Sequence, residues 1–220
     1  MAAHTIAPRT LVALISSVMV AACAGESLSQ DLPRLRLEQT IELGPVKGRI
    51  DHLAIDLTGN RLFVAELENG SVSAVDLATG AVAHRISGLA EPQGVGFLPD
   101  RNELVVASGD GTVRFYDGGD LTVRGEIDLG EDADNVRIDP ADGTIIVGYG
   151  GGALAVIDPN SRALLRTIAL PSHPESFRLD PAKRRAFVNL PGAGKLAVVD
   201  LATVQISAMR GAGYAANYPL

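Results

Sequence analysis

The stretch IDHLAIDLTGNRLFVAELENGSVSAVDLATGAVAHRISGL, residues 50–89, decides the fold. It holds four short runs with strand character, at 52–56, 61–65, 71–76 and 82–86. Between them sit Gly, Asn and Asp, the residues that hairpin turns require. In the turn DLATG (76–80), the Asp76 carboxylate can accept backbone N–H groups from the residues that follow, while Gly80 supplies a positive φ. No helical period of any length is present, so the stretch predicts a four-stranded antiparallel sheet.

Three further copies follow. They run PQGVGFLPDRNELVVASGDGTVRFYDGGDLTVRGEIDL (92–129), ADNVRIDPADGTIIVGYGGGALAVIDPNSRALLRTIAL (133–170) and PESFRLDPAKRRAFVNLPGAGKLAVVDLATVQIS (174–207). Val64, Val106, Val147 and Val188 stand 42, 41 and 41 residues apart, and Asp76, Asp117, Asp158 and Asp200 stand 41, 41 and 42 apart. Four short antiparallel strands per 40-odd residues is the pattern of a propeller blade. The four landmark Asp residues are assigned to turn structure. The fold class is therefore all-β, a β-propeller built of four-stranded antiparallel blades.

The segments FVAE (63–66), VVAS (105–108), IVGY (146–149) and FVNL (187–190) sit where the YVTN-family repeat carries its namesake motif. With the DLATG turns, the chain resembles the YVTN-repeat, YncE-like bacterial propellers over about residues 36–220. Propellers of the WD-repeat kind match less well, since no Trp is present. The resemblance implies an exported recognition platform with about seven blades, of which about four are present here. Residues 37–44 (LEQTIELG) are expected to form an outer strand, by likeness to LLRTIALP (164–171), and residues 217–220 to open a fifth blade. These two orphan strands suggest a sequence truncated relative to a complete ring.

Hydrophobic residues make up 46% and charged residues 20% of the 220, which predicts a folded chain rather than a disordered one. The net charge of -7 repels phosphate backbones, so no nucleic-acid partner is expected. Near the N-terminus, Arg9 precedes an apolar run from Leu11 to Ala22, too short for a membrane span and right for a signal peptide. It ends Val20-Ala21-Ala22-Cys23, which resembles a bacterial lipobox with Cys23, the only cysteine, as lipidation site. Ordinary cleavage at Ala22-Cys23-Ala24 is the alternative. Either way the protein is expected to be exported; in the first case it is a periplasmic or outer-membrane lipoprotein that touches membrane only through an anchor at Cys23, and in the second it is released without an anchor. The expected organisation is a signal peptide at 1–23, a linker at 24–35 and repeats at 36–220. The blades run at about 50–90, 91–131, 132–172 and 173–208.

The first strand of a propeller blade lines the central channel, and ligands bind at its mouth. Counting 17 residues on from each landmark Asp gives Gln93, Asp134, Glu175 and Asn217, and one repeat earlier Asp51. Every one is polar or acidic. The next position adds His52, Gly94, Asn135, Ser176 and Tyr218; two before the first set come Arg49, Glu91, Asp132 and His173. Quasi-symmetry turns these rows into rings. The candidate ligand-binding residues are thus Asp51, His52, Gln93, Asp134, Asn135, His173, Glu175 and Asn217. An acidic ring of Asp51, Asp134 and Glu175, with one or two His, can hold a cation such as Ca²⁺ through oxygen ligands. Polar residues at strand starts also serve simply to satisfy backbone groups or face channel water.

Glycine-rich GYGGG (148–152) and PGAGK (191–195) fall in turns before strands, not helices, which argues against phosphate binding. No zinc spacing and no Gly-x-Ser-x-Gly elbow are present. His84 falls in an outer strand. Two readings follow. The first is a binding module for a small molecule, metal or protein. The second, by similarity to gluconolactonase-like propellers, is a metal-dependent hydrolase. That similarity implies ligands among Asp51, Asp134, Asn135, Glu175 and Asn217, with His52 or His173 moving a proton.

Overall fold

The computed structural model describes residues 35–211. Cys23, the leader, nearly all of the expected linker, Asn217 and the expected opening of a fifth blade lie outside the described residues. Within them are sixteen strands in four separate four-stranded antiparallel meanders. Blade 1 comprises β1 (Ile50–Asp56), β2 (Arg61–Glu66), β3 (Ser71–Asp76) and β4 (Ala81–Ser87). Blade 2 comprises β5 (Pro92–Leu98), β6 (Glu103–Ser108), β7 (Thr112–Asp117) and β8 (Val123–Asp128). Blade 3 comprises β9 (Ala133–Ile138), β10 (Ile145–Tyr149), β11 (Ala153–Asp158) and β12 (Ala163–Ala169). Blade 4 comprises β13 (Ser176–Asp180), β14 (Arg185–Leu190), β15 (Lys195–Asp200) and β16 (Gln205–Gly211). The repeat read from the sequence is the repeat of the fold.

The landmark aspartates close their turns as expected. Asp76 accepts from the N–H groups of Ala78 and Thr79, and Asp117 from those of Gly119 and Asp120. Asp158 accepts from Asn160 and Ser161, and Asp200 from Ala202 and Thr203. Each is a side chain standing in for a turn carbonyl. The PGAGK segment forms a short 3₁₀ turn (Pro191–Ala193) between β14 and β15, with Gly194 at φ 60. In GYGGG, Gly148 and Tyr149 end β10, and the glycines at 150–152 make the corresponding turn to β11.

Aliphatic side chains from facing sheets fill the spaces between blades. Phe63, Ala65 and Val72 of blade 1 meet Val95, Phe97 and Leu104 of blade 2, and the Phe63 and Phe97 rings stack at 5.4 Å. Val105, Val113 and Phe115 meet Val136, Ile145 and Val147 in the next space. Ile146, Leu154 and Ile168 meet Phe177, Val188 and Ala197 in the third. Arginines at the blade tips bridge these spaces: Arg162 reaches Glu103 at 2.6 Å, and Arg184 reaches both Asp139 and Asp142 at 2.6 Å.

One observation departs from the sequence reading. Residues 37–44 form no strand. Each of the described sheets is made of its own four strands, with β4 in the outer position of blade 1, and this segment adds to none of them; the Leu43 carbonyl accepts from the Arg85 guanidinium. In β1, Leu53 and Ile55 are 55% and 52% exposed, against 4% and 8% for their repeat equivalents Val95 and Phe97, as an incomplete ring of blades would leave them. Among the described residues no sheet covers that face of blade 1.

Candidate functional site

Inner strands β1, β5 and β9 each carry one extra residue at the same place. The register against the second strand shifts between Ile50 and Leu53, between Pro92 and Val95, and between Val147 and Tyr149 opposite β9. In a regular strand successive side chains point to opposite faces. A bulge breaks that alternation and re-aims side chains. Here it brings the neighbours Asp51 and His52 to one cluster, and Asp134 and Asn135 to the same cluster.

Blade 2 contributes by what it lacks. A Cβ at Gly94 would stand 1.7 Å from the Asp134 carbonyl oxygen and 2.9 Å from Val136 Cγ2. Only glycine lets β5 lie so close to β9. With no side chain there, His52 of blade 1 reaches across to blade 3, and its Nε2 sits 2.9 Å from Asn135 Oδ1.

The result is an open cleft of about 710 Å³ at the starts of the inner strands, lined by residues including Arg49, Gln93, Asp132, His173 and Glu175. Asp51 Oδ1 and Asp134 Oδ1 lie 3.0 and 3.6 Å from His52 Nδ1. Ligand atoms of Asp51, His52 and Asp134 lie within 4.8 Å of one another. Asp134 is buried, and its Oδ1 has no hydrogen-bond partner. Buried polar atoms are almost always paired, so an orphan carboxylate oxygen in a cleft is informative.

The electrostatics follow from this crowding. Burial works to push the Asp51 carboxyl up, but His52 and Arg49 outweigh it and hold it below its usual range. Burial works to lower His52, yet the Asp51 and Asp134 carboxylates leave it raised. His173 is lifted to about 9, first by the Asp134 carboxylate and, against burial, by the Gly150 carbonyl and the charge of Asp132. Its Nδ1 lies 2.7 Å from Gly150 O, and its Nε2 lies 3.9 Å from Asp134 Oδ2. A cluster that gathers protons to this degree is short of positive charge.

The other expected site residues are placed as follows. Gln93 lines the rim and donates to Asp132 at 2.9 Å. Glu175 lines the cleft, but its carboxylate stands apart from the Asp51–His52–Asp134 group; its backbone carbonyl receives the Asn135 amide at 2.5 Å. The inner strand of blade 4 shows no such bulge: Ser176 and Phe177 pair in register with Asn189 and Val188. Of the expected acidic ring with one or two His, Asp51, Asp134 and His52 come together, and Glu175 does not join them. A second, smaller hollow of about 200 Å³ lies around Arg184, with Asp139 and Asp142 bonded to that arginine, so those charges are matched.

Four antiparallel four-stranded sheets stacked in chain order, with a polar cleft at the inner strands, define a β-propeller protein. No family model matches the chain, and no curated protein matches it. Among solved structures it is similar to the Kuenenia stuttgartiensis hydrazine synthase, with a TM-score of 0.66 and 23% identity, covering 78% of this chain and 52% of that one. The chain thus spans about half the length of the protein it matches. At this identity the likeness carries the fold alone.

Proposed function

We propose that this chain is the recognition part of an exported propeller of the YVTN-repeat, YncE-like kind, binding a small polar ligand or a metal in the cleft of the inner strands. The observation that carries the reading is Asp134 Oδ1, a carboxylate oxygen buried at the cleft and left without a partner. Leaving such a group unsatisfied costs about 1–3 kcal/mol, more when it is charged. A bound cation, or a ligand donor, removes that cost. Export is supported by the Arg9-led apolar run and the small residues before Cys23. The acidic balance argues against a nucleic-acid partner.

The test is thermal stabilisation of the full chain by a panel of divalent cations, Ca²⁺ included, and small polar molecules. It is repeated on an Asp134→Ala, Glu175→Ala double variant. A ligand that stabilises the wild type and not the folded double variant supports the cleft. Ligands that stabilise both equally, or none that stabilises the wild type, would overturn it.

A second reading, metal-assisted hydrolysis of a lactone-like ester, is favoured by one observation. Three potential ligands converge, with His173 placed 3.9 Å from one of them. A metal there would polarise the carbonyl, and a histidine would move the proton. Turnover of a lactone panel that is lost in Asp134→Ala would establish it.

A further inference from the structure

Asn135 fixes the protonation of the cluster. Its Nδ2 donates to the Glu175 carbonyl oxygen and to Asp134 Oδ2 at 3.1 Å. A backbone carbonyl can only accept, so the amide has one orientation, and its Oδ1 faces His52 Nε2. Arg137 donates to the same Oδ1 at 3.4 Å. His52 Nε2 therefore carries the hydrogen. In the neutral ring, Nδ1 then presents a lone pair.

That lone pair faces two carboxylate oxygens. Asp51 Oδ1 is 3.0 Å away and Asp134 Oδ1 3.6 Å away, yet His52 Nδ1 and Asp134 Oδ1 are both buried without a well-aligned hydrogen bond. The second oxygen of each carboxylate is already engaged. Asp51 Oδ2 holds Arg49 at 3.0 Å, and Asp134 Oδ2 holds the Asn135 amide. Each of the three side chains is thus steered by an outer partner so that one lone pair is left for a common point. Outer hydrogen bonds of this kind, above all an imidazole N–H given to an oxygen, are how proteins orient metal ligands.

We propose that Asp51 Oδ1, His52 Nδ1 and Asp134 Oδ1 form a three-ligand site for a divalent transition cation, with open positions toward the cleft. The proposal rests on the reading of the cleft as a ligand site and names its ligand class. One imidazole nitrogen with two carboxylate oxygens suits Mn²⁺, Co²⁺, Ni²⁺ or Zn²⁺; Ca²⁺ prefers six or more oxygens. Three protein ligands leave room for water or a ligand group to complete the shell. The competing occupant is a proton on Nδ1, making an imidazolium between two carboxylates.

The experiment is calorimetric titration of the full chain with Zn²⁺, Co²⁺ and Ca²⁺, with the visible absorption of bound Co²⁺ followed in parallel. It is repeated on Asp134→Asn, His52→Gln and His84→Gln, each checked for folding by circular dichroism. His84→Gln controls for adventitious histidine binding. The expected result is one Zn²⁺ or Co²⁺ per chain, bound at least about tenfold more tightly than Ca²⁺. Affinity falls about tenfold or more in Asp134→Asn and in His52→Gln, and is unchanged in His84→Gln. Ca²⁺ binding as tight as Zn²⁺ and indifferent to His52→Gln would overturn the transition-metal site while leaving the cleft a ligand site. No cation binding, with a small molecule still held through Asp134, would overturn it in favour of the proton. No ligand of any kind at the cleft would remove both readings.

Discussion

Glu66 is fully buried, and burial works to push its carboxyl up. Hydrogen bonds from Ser71, Ser73 and Asn69 and the charge of Arg85 outweigh burial and leave it below its ordinary range. Because the folded value is the lower one, its contribution to stability is present above the unfolded value, about 4.3. That contribution is lost as pH falls through the folded value. Glu66→Gln is therefore expected to lower stability by about 1–3 kcal/mol at pH 7. The gap to wild type should narrow from pH 7 to pH 3, read from urea midpoints at the two pH values. A gap independent of pH would contradict the assignment. Nothing in the sequence marks this residue, since Ser108, Tyr149 and Leu190 occupy the equivalent places. The cleft residues were legible for the opposite reason. Asp51, Gln93, Asp134 and Glu175 share one repeat position, and all are polar. Which of them would meet was not legible, because that depends on His52 crossing to another blade.

At the scale of the element, the deciding feature is the bulge in β1, β5 and β9. Spacing from the landmark Asp locates the row of residues. It does not reveal that two adjacent side chains share a cluster, because an extra residue in one strand leaves no fixed mark in composition. For the same reason Glu175, just before an inner strand without that bulge, was expected as a ligand and is found beside the group instead. Gly94 is the element's second device. Gly94→Ala is expected to drive β5 away from β9, costing more than about 2 kcal/mol and abolishing ligand binding at the cleft. Gly151, whose added Cβ would meet nothing within 4 Å, is the control. Gly151→Ala should stay within about 0.5 kcal/mol. Thermal midpoints of the two variants check the pair, and equal midpoints would contradict the close packing of β5 on β9.

Across the whole molecule, the sequence spacing was sufficient for the fold. Four copies with fixed Val and Asp landmarks specify four blades, and the hydrophobic alternation fills the spaces between them. The missing strand at 37–44 shows the limit of such reading. Its pattern is strand-like, but a strand forms only where a partner strand pairs with it, and none of the four described sheets takes this segment up. Exposure of equivalent residues tells the same story. Phe63 is fully buried between blades 1 and 2, whereas Phe187, at the equivalent place in blade 4, is 39% exposed. Phe63→Ala is expected to cost about 3–5 kcal/mol, and Phe187→Ala clearly less. Denaturant unfolding of both variants measures the difference. Equal losses would mean that the described arc of blades does not govern the packing.

The proposed convergence of Asp51, His52 and Asp134 on a ligand is tested by X-ray diffraction from crystals of the full chain grown with Co²⁺, with data collected on both sides of the cobalt absorption edge. One anomalous peak is expected within bonding reach of Asp51 Oδ1, His52 Nδ1 and Asp134 Oδ1. A cleft without that peak, in which His52 Nδ1 donates a hydrogen bond to either carboxylate, would contradict it.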